Sequence, residues 1–335
     1  MHIQEILKDL CLAYGPSGRE DQVAGVIAGM LEGHVDSLSR DAMGNLVAIK
    51  KGREPGRVMV AAHMDEIGLM VTHIEDSGLV RVDAVGGVHA GRSIYRQVKF
   101  ENGARGVTGC DADALAKPQD ITMAHLYIDL GVASAEEAAA LVQVGDVAVF
   151  TVDFLEMGDR ASCAAMDNRV ACAVLVDTLL TLDTPQMDVY GVFTTQEELG
   201  LRGAQTAAFA IQPNWGVAVD LTLAADVPGS KRSNLKLGGG ACIKIKDSSV
   251  VCSPRVVAHL TEAAQQAGLP YQREVLVAGG TDTKSIQLSR AGVPAGAISV
   301  AARYVHAPVE MVDIRDVAGA SALLTQALKG GWKVQ

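Results

Sequence analysis

Aromatic side chains are scarce in this 335-residue chain: five Phe, six Tyr and two Trp make up 4 % of it. A cleft that stacks sugar rings is disfavoured by so few rings. Positive charge is also in deficit, with 29 Lys and Arg against 39 Asp and Glu and a net charge of −10. Such a chain has no global pull toward phosphate backbones, which argues against nucleic acid as a partner. No apolar run approaches the roughly 18–20 residues of a membrane span. The start, Met1-His2-Ile3-Gln4-Glu5, lacks the charged-then-apolar pattern of a signal peptide, so a cytoplasmic location is expected. The six cysteines, Cys11, Cys110, Cys163, Cys172, Cys242 and Cys252, include no C-x-x-C pair. They read as reduced, buried thiols rather than as a thiolate metal site or a nucleophile.

What is present is Ala, Val, Leu, Ile and 35 glycines, in a chain that is 49 % apolar and 20 % charged. This is the composition of a packed globular protein. It suits a parallel α/β sheet whose strands are buried on both faces. The length fits one large domain or two smaller ones.

Hydrophobic spacing organises the chain further. Residues 1–34 read as helical, with a break at Gly15-Pro16-Ser17-Gly18. Strands are expected at 35–38, 46–49 and 57–62. From 68 to 160 the pattern becomes short β-like runs, at 79–85, 94–100, 106–110 and 146–154, with one helix at 134–141 capped by Ser134. After 160 the α/β rhythm returns, with strands at 189–194, 215–219 and 295–300. Helices are expected at 170–180, 204–210, 254–267, 283–291 and 314–328. The expected organisation is a doubly wound, mixed but mainly parallel α/β sheet over 1–67 and 161–335. A small β-barrel domain at 68–160 is inserted into it.

The residues able to hold metal fall in a pattern. The strand at 57–62 ends at His63-Met64-Asp65, and Asp167 lies just before a helix. The strand at 189–194 leads to Glu197-Glu198, that at 215–219 to Asp220, and that at 295–300 to His306. Strand C-termini form the ligand-binding edge of an open α/β sheet. A mixed nitrogen and oxygen set there suits a pair of divalent ions such as zinc, cobalt or manganese. Taken singly, each position has a plainer reading. A His after a strand also describes a loop residue, Glu197-Glu198 a solvated helix start, and Asp220 a cap. His2, His34, His73, His89, His125 and His259 have no comparable placement and read as surface or structural. Gly238-Gly239-Gly240 lacks the lysine and hydroxyl of a nucleotide loop and reads as backbone packing.

These residues resemble a known family. Ala62-His63-Met64-Asp65-Glu66-Ile67-Gly68 is similar to the first metal motif of the tetrahedral aminopeptidases, metallopeptidase family 42. Met166-Asp167-Asn168-Arg169 resembles the bridging-aspartate motif, and the stretch from Thr195-Gln196-Glu197-Glu198 to Gly203 the catalytic glutamate motif. Gly279-Gly280-Thr281-Asp282 and Arg303-Tyr304-Val305-His306 resemble the last two signatures, in the family's order. The resemblance implies one ion held by His63 and Asp220, a second by Glu198 and His306, and Asp167 bridging them. It implies Glu197 as general base toward water held between the ions, and Asp65 as partner of the second nitrogen of His63. Short peptides would lose their N-terminal residues. Twelve subunits would assemble as a tetrahedral shell through the inserted domain. Asn168 stands where the family often has aspartate and Ala171 where it often has glycine, which bears on packing. Ala301 and Ala302 stand where it often has proline, which would alter the loop near the pocket.

Two other readings stay in play. A glycoside hydrolase also uses paired carboxylates, but it leaves His63 and His306 unexplained and does not require metal. A non-catalytic scaffold on the same fold would require loss of ligands or base, and all are present.

Overall fold

A computed structural model describes residues 2–230 and 234–333. Its centre is four adjacent parallel strands: Asp188–Thr194, Arg57–His63, Trp215–Leu223 and Ala295–Arg303. Antiparallel strands extend this core on both sides, into an eleven-stranded sheet among the described residues. Leu46–Lys50 and Ser37–Arg40 lie beyond Asp188–Thr194. Glu310–Asp313, Arg160–Cys163 and Leu155–Met157 lie beyond Ala295–Arg303. Ala241–Lys246 and Tyr271–Val275 branch from that last central strand. The sheet is therefore mixed, with its parallel pairing concentrated at the centre.

Alternation along the strands explains the layers. Val58, Val60 and Ala62 point to one core, with Ile6, Leu10 and Val23 from the two N-terminal helices. The helices Met166–Thr181 and Ile314–Lys329 complete that layer through residues such as Leu175 and Leu324. Met59 and Ala61, one residue out of phase, point to the opposite core against Arg202–Ile211 and Thr283–Gln287. Burial on both faces is what the near-continuous apolar strands require.

A closed six-stranded barrel forms the second unit, from Gly68–Ile74, Val80–Val85, Leu126–Asp129, Arg105–Cys110, Gln97–Phe100 and Val147–Phe150. Its core is separate, built on Leu69, Val80, Val98, Leu126 and Ile128. Ser134 caps the helix Ala135–Ala139, its side chain accepting from the Glu137 N–H. The barrel begins at Gly68, five residues after His63, and the chain returns to the sheet through Arg160–Cys163, which ends four residues before Asp167. Both crossings thus flank the residues of interest.

Several details differ from the expected elements, among them the helix expected at 283–291, which ends at Gln287. Trp215–Leu223 runs past Asp220, because residues 220–223 keep pairing with 299–302 of the neighbouring strand. Ala301 and Ala302 do not lie in a loop: they are buried inside Ala295–Arg303, and Ala302 pairs with Val312. Without proline's missing N–H, the strand simply continues there. Gly240, with φ +89°, is a close backbone approach, since a Cβ there would stand 2.1 Å from the Pro270 carbonyl oxygen. Among the described residues, no helix is long and apolar enough to cross a membrane.

Candidate metal centre

Four parallel strands end on one edge, and the chain brings seven polar residues together there. His63 closes its strand, directly opposite Thr194. Asp220 lies two residues past the last pairing of its strand with Arg57–His63, Ala218 with Ala61, which sets it level with His63. Glu197 and Glu198 lie in the connection between Thr194 and the helix that starts at Arg202. Their side chains are largely buried, at 12 % and 5 % exposure, so they are not a solvated helix start. His306 sits in the turn between Ala295–Arg303 and Glu310–Asp313.

Asp167 stands where the helix Met166–Thr181 is interrupted, with Asp167 and Asn168 both non-helical and joined by a cis peptide bond. Asn168 then acts as the cap: its Oδ1 accepts from the Ala171 N–H at 3.2 Å while its Nδ2 donates to the Val219 carbonyl at 3.1 Å. An aspartate could do only the first of these. Arg169, fully buried, donates to the carbonyls of Leu10, Ala13, Gly15 and Met64 and to the Glu66 carboxylate. It thereby ties the segment after His63 to the N-terminal helix and to the segment bearing Asp167.

Asp167 faces both imidazoles. Its Oδ1 lies 3.3 Å from His63 Nε2 and its Oδ2 3.4 Å from His306 Nε2. Asp220 Oδ1 is 3.9 Å from His63 Nε2, and Glu198 Oε1 is 3.3 Å from His306 Nε2. Two triads result, His63–Asp167–Asp220 and Asp167–Glu198–His306, each with ligand atoms within 4.8 Å of one another. Ligand atoms around a tetrahedral ion with bonds of about 2.0–2.1 Å are about 3.3–3.4 Å apart. Most of these separations match that spacing. Asp167 Oδ1 is also a buried oxygen without a hydrogen-bond partner. The residues present therefore fit divalent ions.

Glu197 belongs to neither triad. Its Oε2 lies 3.8 Å from His63 Nε2, so it faces the same space. Asp65 holds it there: Oδ1 accepts from the Glu197 N–H at 2.9 Å, and Oδ2 from the Glu198 N–H at 3.1 Å and from Ser17 Oγ at 2.6 Å. Toward His63, the nearest acceptor for Nδ1 is the Asp65 backbone carbonyl at 3.0 Å, with the carboxylate at 3.4 Å. That contact leaves Nε2 directed at Asp167 and Asp220.

The electrostatics are those of a cation site. Burial disfavours the His63 imidazolium, but Glu197, Asp167 and Asp65 overcome this and hold its proton affinity well above the ordinary value. Hydrogen bonding to Asp167 and Glu198 pushes His306 up to about 11. Burial raises Glu197 and Asp220 well above the usual carboxylate range, and neighbouring carboxylates add to it. Too many carboxylates share too little water, and a concentrated positive charge relieves that.

Three buried acids beside the site were given no role from the sequence, although Asp282 lies within one of the resembling signatures. Glu310 accepts from the backbone N–H groups of Asp167 and His306, both at 2.8 Å. Asp282 accepts from Thr194 Oγ1 at 2.6 Å, and burial raises its pKa to about 6. Glu20 accepts from the Gln196 N–H at 3.1 Å. The only signal in the sequence was an acid in or beside a candidate motif. Among the described residues, the other histidines join no group able to hold a metal, and the His259 ring packs at a tilt against Trp332, with centroids 4.1 Å apart.

Comparison with known proteins places the chain among aminopeptidases. The model of the M42 glutamyl aminopeptidase family matches residues 44–323. An aminopeptidase from the archaeon Desulfurococcus kamchatkensis superposes with a TM-score of 0.94 at 40 % identity, covering 98 % of this chain and 94 % of that one. The lysyl aminopeptidase of Pyrococcus furiosus is 34 % identical over 93 % of each chain. The TET1 peptidase of Pyrococcus horikoshii, which can assemble into a tetrahedron or a large octahedral shell, superposes with a TM-score of 0.85. It is 31 % identical over 97 % of this chain and 99 % of that one.

Proposed function

The chain belongs to the M42 glutamyl aminopeptidase family, and on that premise we propose that it is a two-ion aminopeptidase with Glu197 as its general base. The observation that carries the reading is one carboxylate, Asp167, shared by two ligand triads, with Glu197 facing them from outside both.

His63, Asp167 and Asp220 would hold one ion, and Asp167, Glu198 and His306 the other, with zinc or cobalt the expected metals and manganese a further option. Bound there, divalent ions supply Lewis acidity toward the scissile carbonyl and lower the pKa of water at the site. Glu197 accepts the proton of the attacking water and hands it to the departing amine. Asp65, by gripping the Glu197 and Glu198 N–H groups, keeps the base and an adjacent ligand in fixed relation. Asp65 also orients His63, through its carbonyl and its carboxylate.

The substrates would be short peptides with a free N-terminus. The family name and the lysyl relative point to side chains of opposite charge, so the preferred residue is a property of each member's pocket. The test is a panel of leucyl, lysyl and glutamyl chromogenic amides. Hydrolysis that disappears with chelation and returns with cobalt or zinc is expected. Hydrolysis indifferent to chelation would overturn the reading, as would activity confined to glycosides. By likeness to the Pyrococcus horikoshii peptidase, we further propose that the inserted segment 68–160, whose barrel strands run from Gly68 to Phe150, forms the contacts of a dodecameric shell.

A further inference from the structure

We infer that Glu310 is a positioning residue that holds the second ion's ligands in place. The inference rests on the two-ion reading above.

Glu310 is buried, at 2 % exposure, in the strand that returns from the His306 turn. One of its carboxylate oxygens, Oε1, accepts from the His306 N–H and the other, Oε2, from the Asp167 N–H, each at 2.8 Å. These two ligands come from opposite ends of the chain's path around the site. Asp167 follows the strand Arg160–Cys163, whereas His306 follows Ala295–Arg303. The strand bearing Glu310 pairs with both, Cys163 with Glu310 and Arg303 with Met311. Glu310 thus joins the backbones of these two ligands directly.

His306 needs such a restraint. Its backbone is left-handed, at φ +57°, and its side chain is 38 % exposed, against 3 % for His63. It lies in a turn outside any strand, whereas His63 closes a central strand. The arrangement repeats that of Asp65, whose two oxygens grip the Glu197 and Glu198 N–H groups. One carboxylate clamp serves the base and a ligand, and the other serves the bridging ligand and His306.

The clamp needs two acceptors. Glutamine keeps the shape but offers one acceptor and one NH2 donor. In E310Q one of the two peptide N–H groups therefore faces another donor and is left unpaired. Aspartate keeps both acceptors but is one methylene short of spanning the gap.

The test is a Co(II) titration of the purified protein, followed by equilibrium dialysis and by the visible absorption of the bound ion. Wild type is expected to bind two ions. E310Q is expected to bind the second about 10–100-fold more weakly, as for other residues that orient ligands. Its Co(II) absorption should also change, while far-UV circular dichroism stays that of wild type. A purely structural role would lower the melting temperature and leave affinity and spectrum unchanged in the folded protein. If E310Q does not fold, E310D decides by the same two readouts. Wild-type affinity and an unchanged spectrum overturn the inference alone. Failure of the wild type itself to bind two ions overturns the two-ion reading and the inference with it.

Discussion

At the scale of single residues, the division of labour between adjacent Glu197 and Glu198 is the sharpest feature. Glu198 turns to His306 at 3.3 Å, while Glu197 turns to His63 at 3.8 Å and stays outside both triads. Replacing Glu197 by glutamine removes a proton acceptor but no ligand. E197Q should keep the wild-type ion content and lose about 10²–10⁴-fold in kcat, the usual worth of a general base. Metal analysis and amide hydrolysis on one preparation check this, and full activity with full loading would remove Glu197 from the role. His63, Glu198, Asp220 and His306 were readable because each follows an apolar run that had to be a strand, and Asp167 because it opens a helical run. Glu310 and Asp282 were not readable in that way. Their meaning depends on which backbone N–H or hydroxyl comes to face them, and those partners lie 143 and 88 residues away. Likewise the second bond of Asn168, from its Nδ2 to the Val219 carbonyl, reaches a partner 51 residues distant.

Among the elements, the turn Gly86-Gly87 after Val80–Val85 matters most, because there the barrel touches the candidate metal centre. Gly86 has φ +79°, and a Cβ on it would stand 3.0 Å from Glu198 Cβ. A Cβ on Gly87 would stand 2.4 Å from His306 Nδ1. G87A therefore has to displace a ligand ring, and should weaken binding of the second ion at least about tenfold. G91A is the control, because its Cβ meets only His89, at 3.6 Å. Calorimetric titration with zinc compares the two, and equal affinities would mean that the turn gives way freely. The double glycine was visible in the sequence only as a turn signal, since nothing local says what the turn packs against. The same limit explains the strands that spacing did not reveal. Tyr271–Val275 reads Tyr-Gln-Arg-Glu-Val, and Leu155–Met157 is three exposed residues. Such strands are held by pairing with a neighbour rather than by an apolar face. The strongly apolar central strands were legible because burial on both faces leaves no room for polar residues.

For the molecule as a whole, the barrel exposes large apolar side chains, among them Tyr95 at 67 % and Val144 at 64 %. Such surface commonly marks contact between chains. Static light scattering should give a mass near twelve times that of one chain, and a monomer mass would exclude the shell for the isolated protein. The large-scale division into a mixed sheet and a barrel was visible in the change from α/β rhythm to short β runs near residue 68. The excess of acidic residues first served only to disfavour nucleic acid. At the sheet edge it acquires a local meaning, since His63 and His306 stand among Asp65, Asp167, Glu197, Glu198 and Asp220.

Asp167 is the carboxylate common to two candidate ion sites that otherwise share no residue. The most direct measurement is the number of zinc ions per chain, counted by elemental analysis after dialysis, in wild type and in His306→Ala. The two-triad geometry predicts two ions in wild type and one in the variant, because His63, Asp167 and Asp220 remain intact. Two ions retained by His306→Ala, or none bound by the wild type, would contradict it.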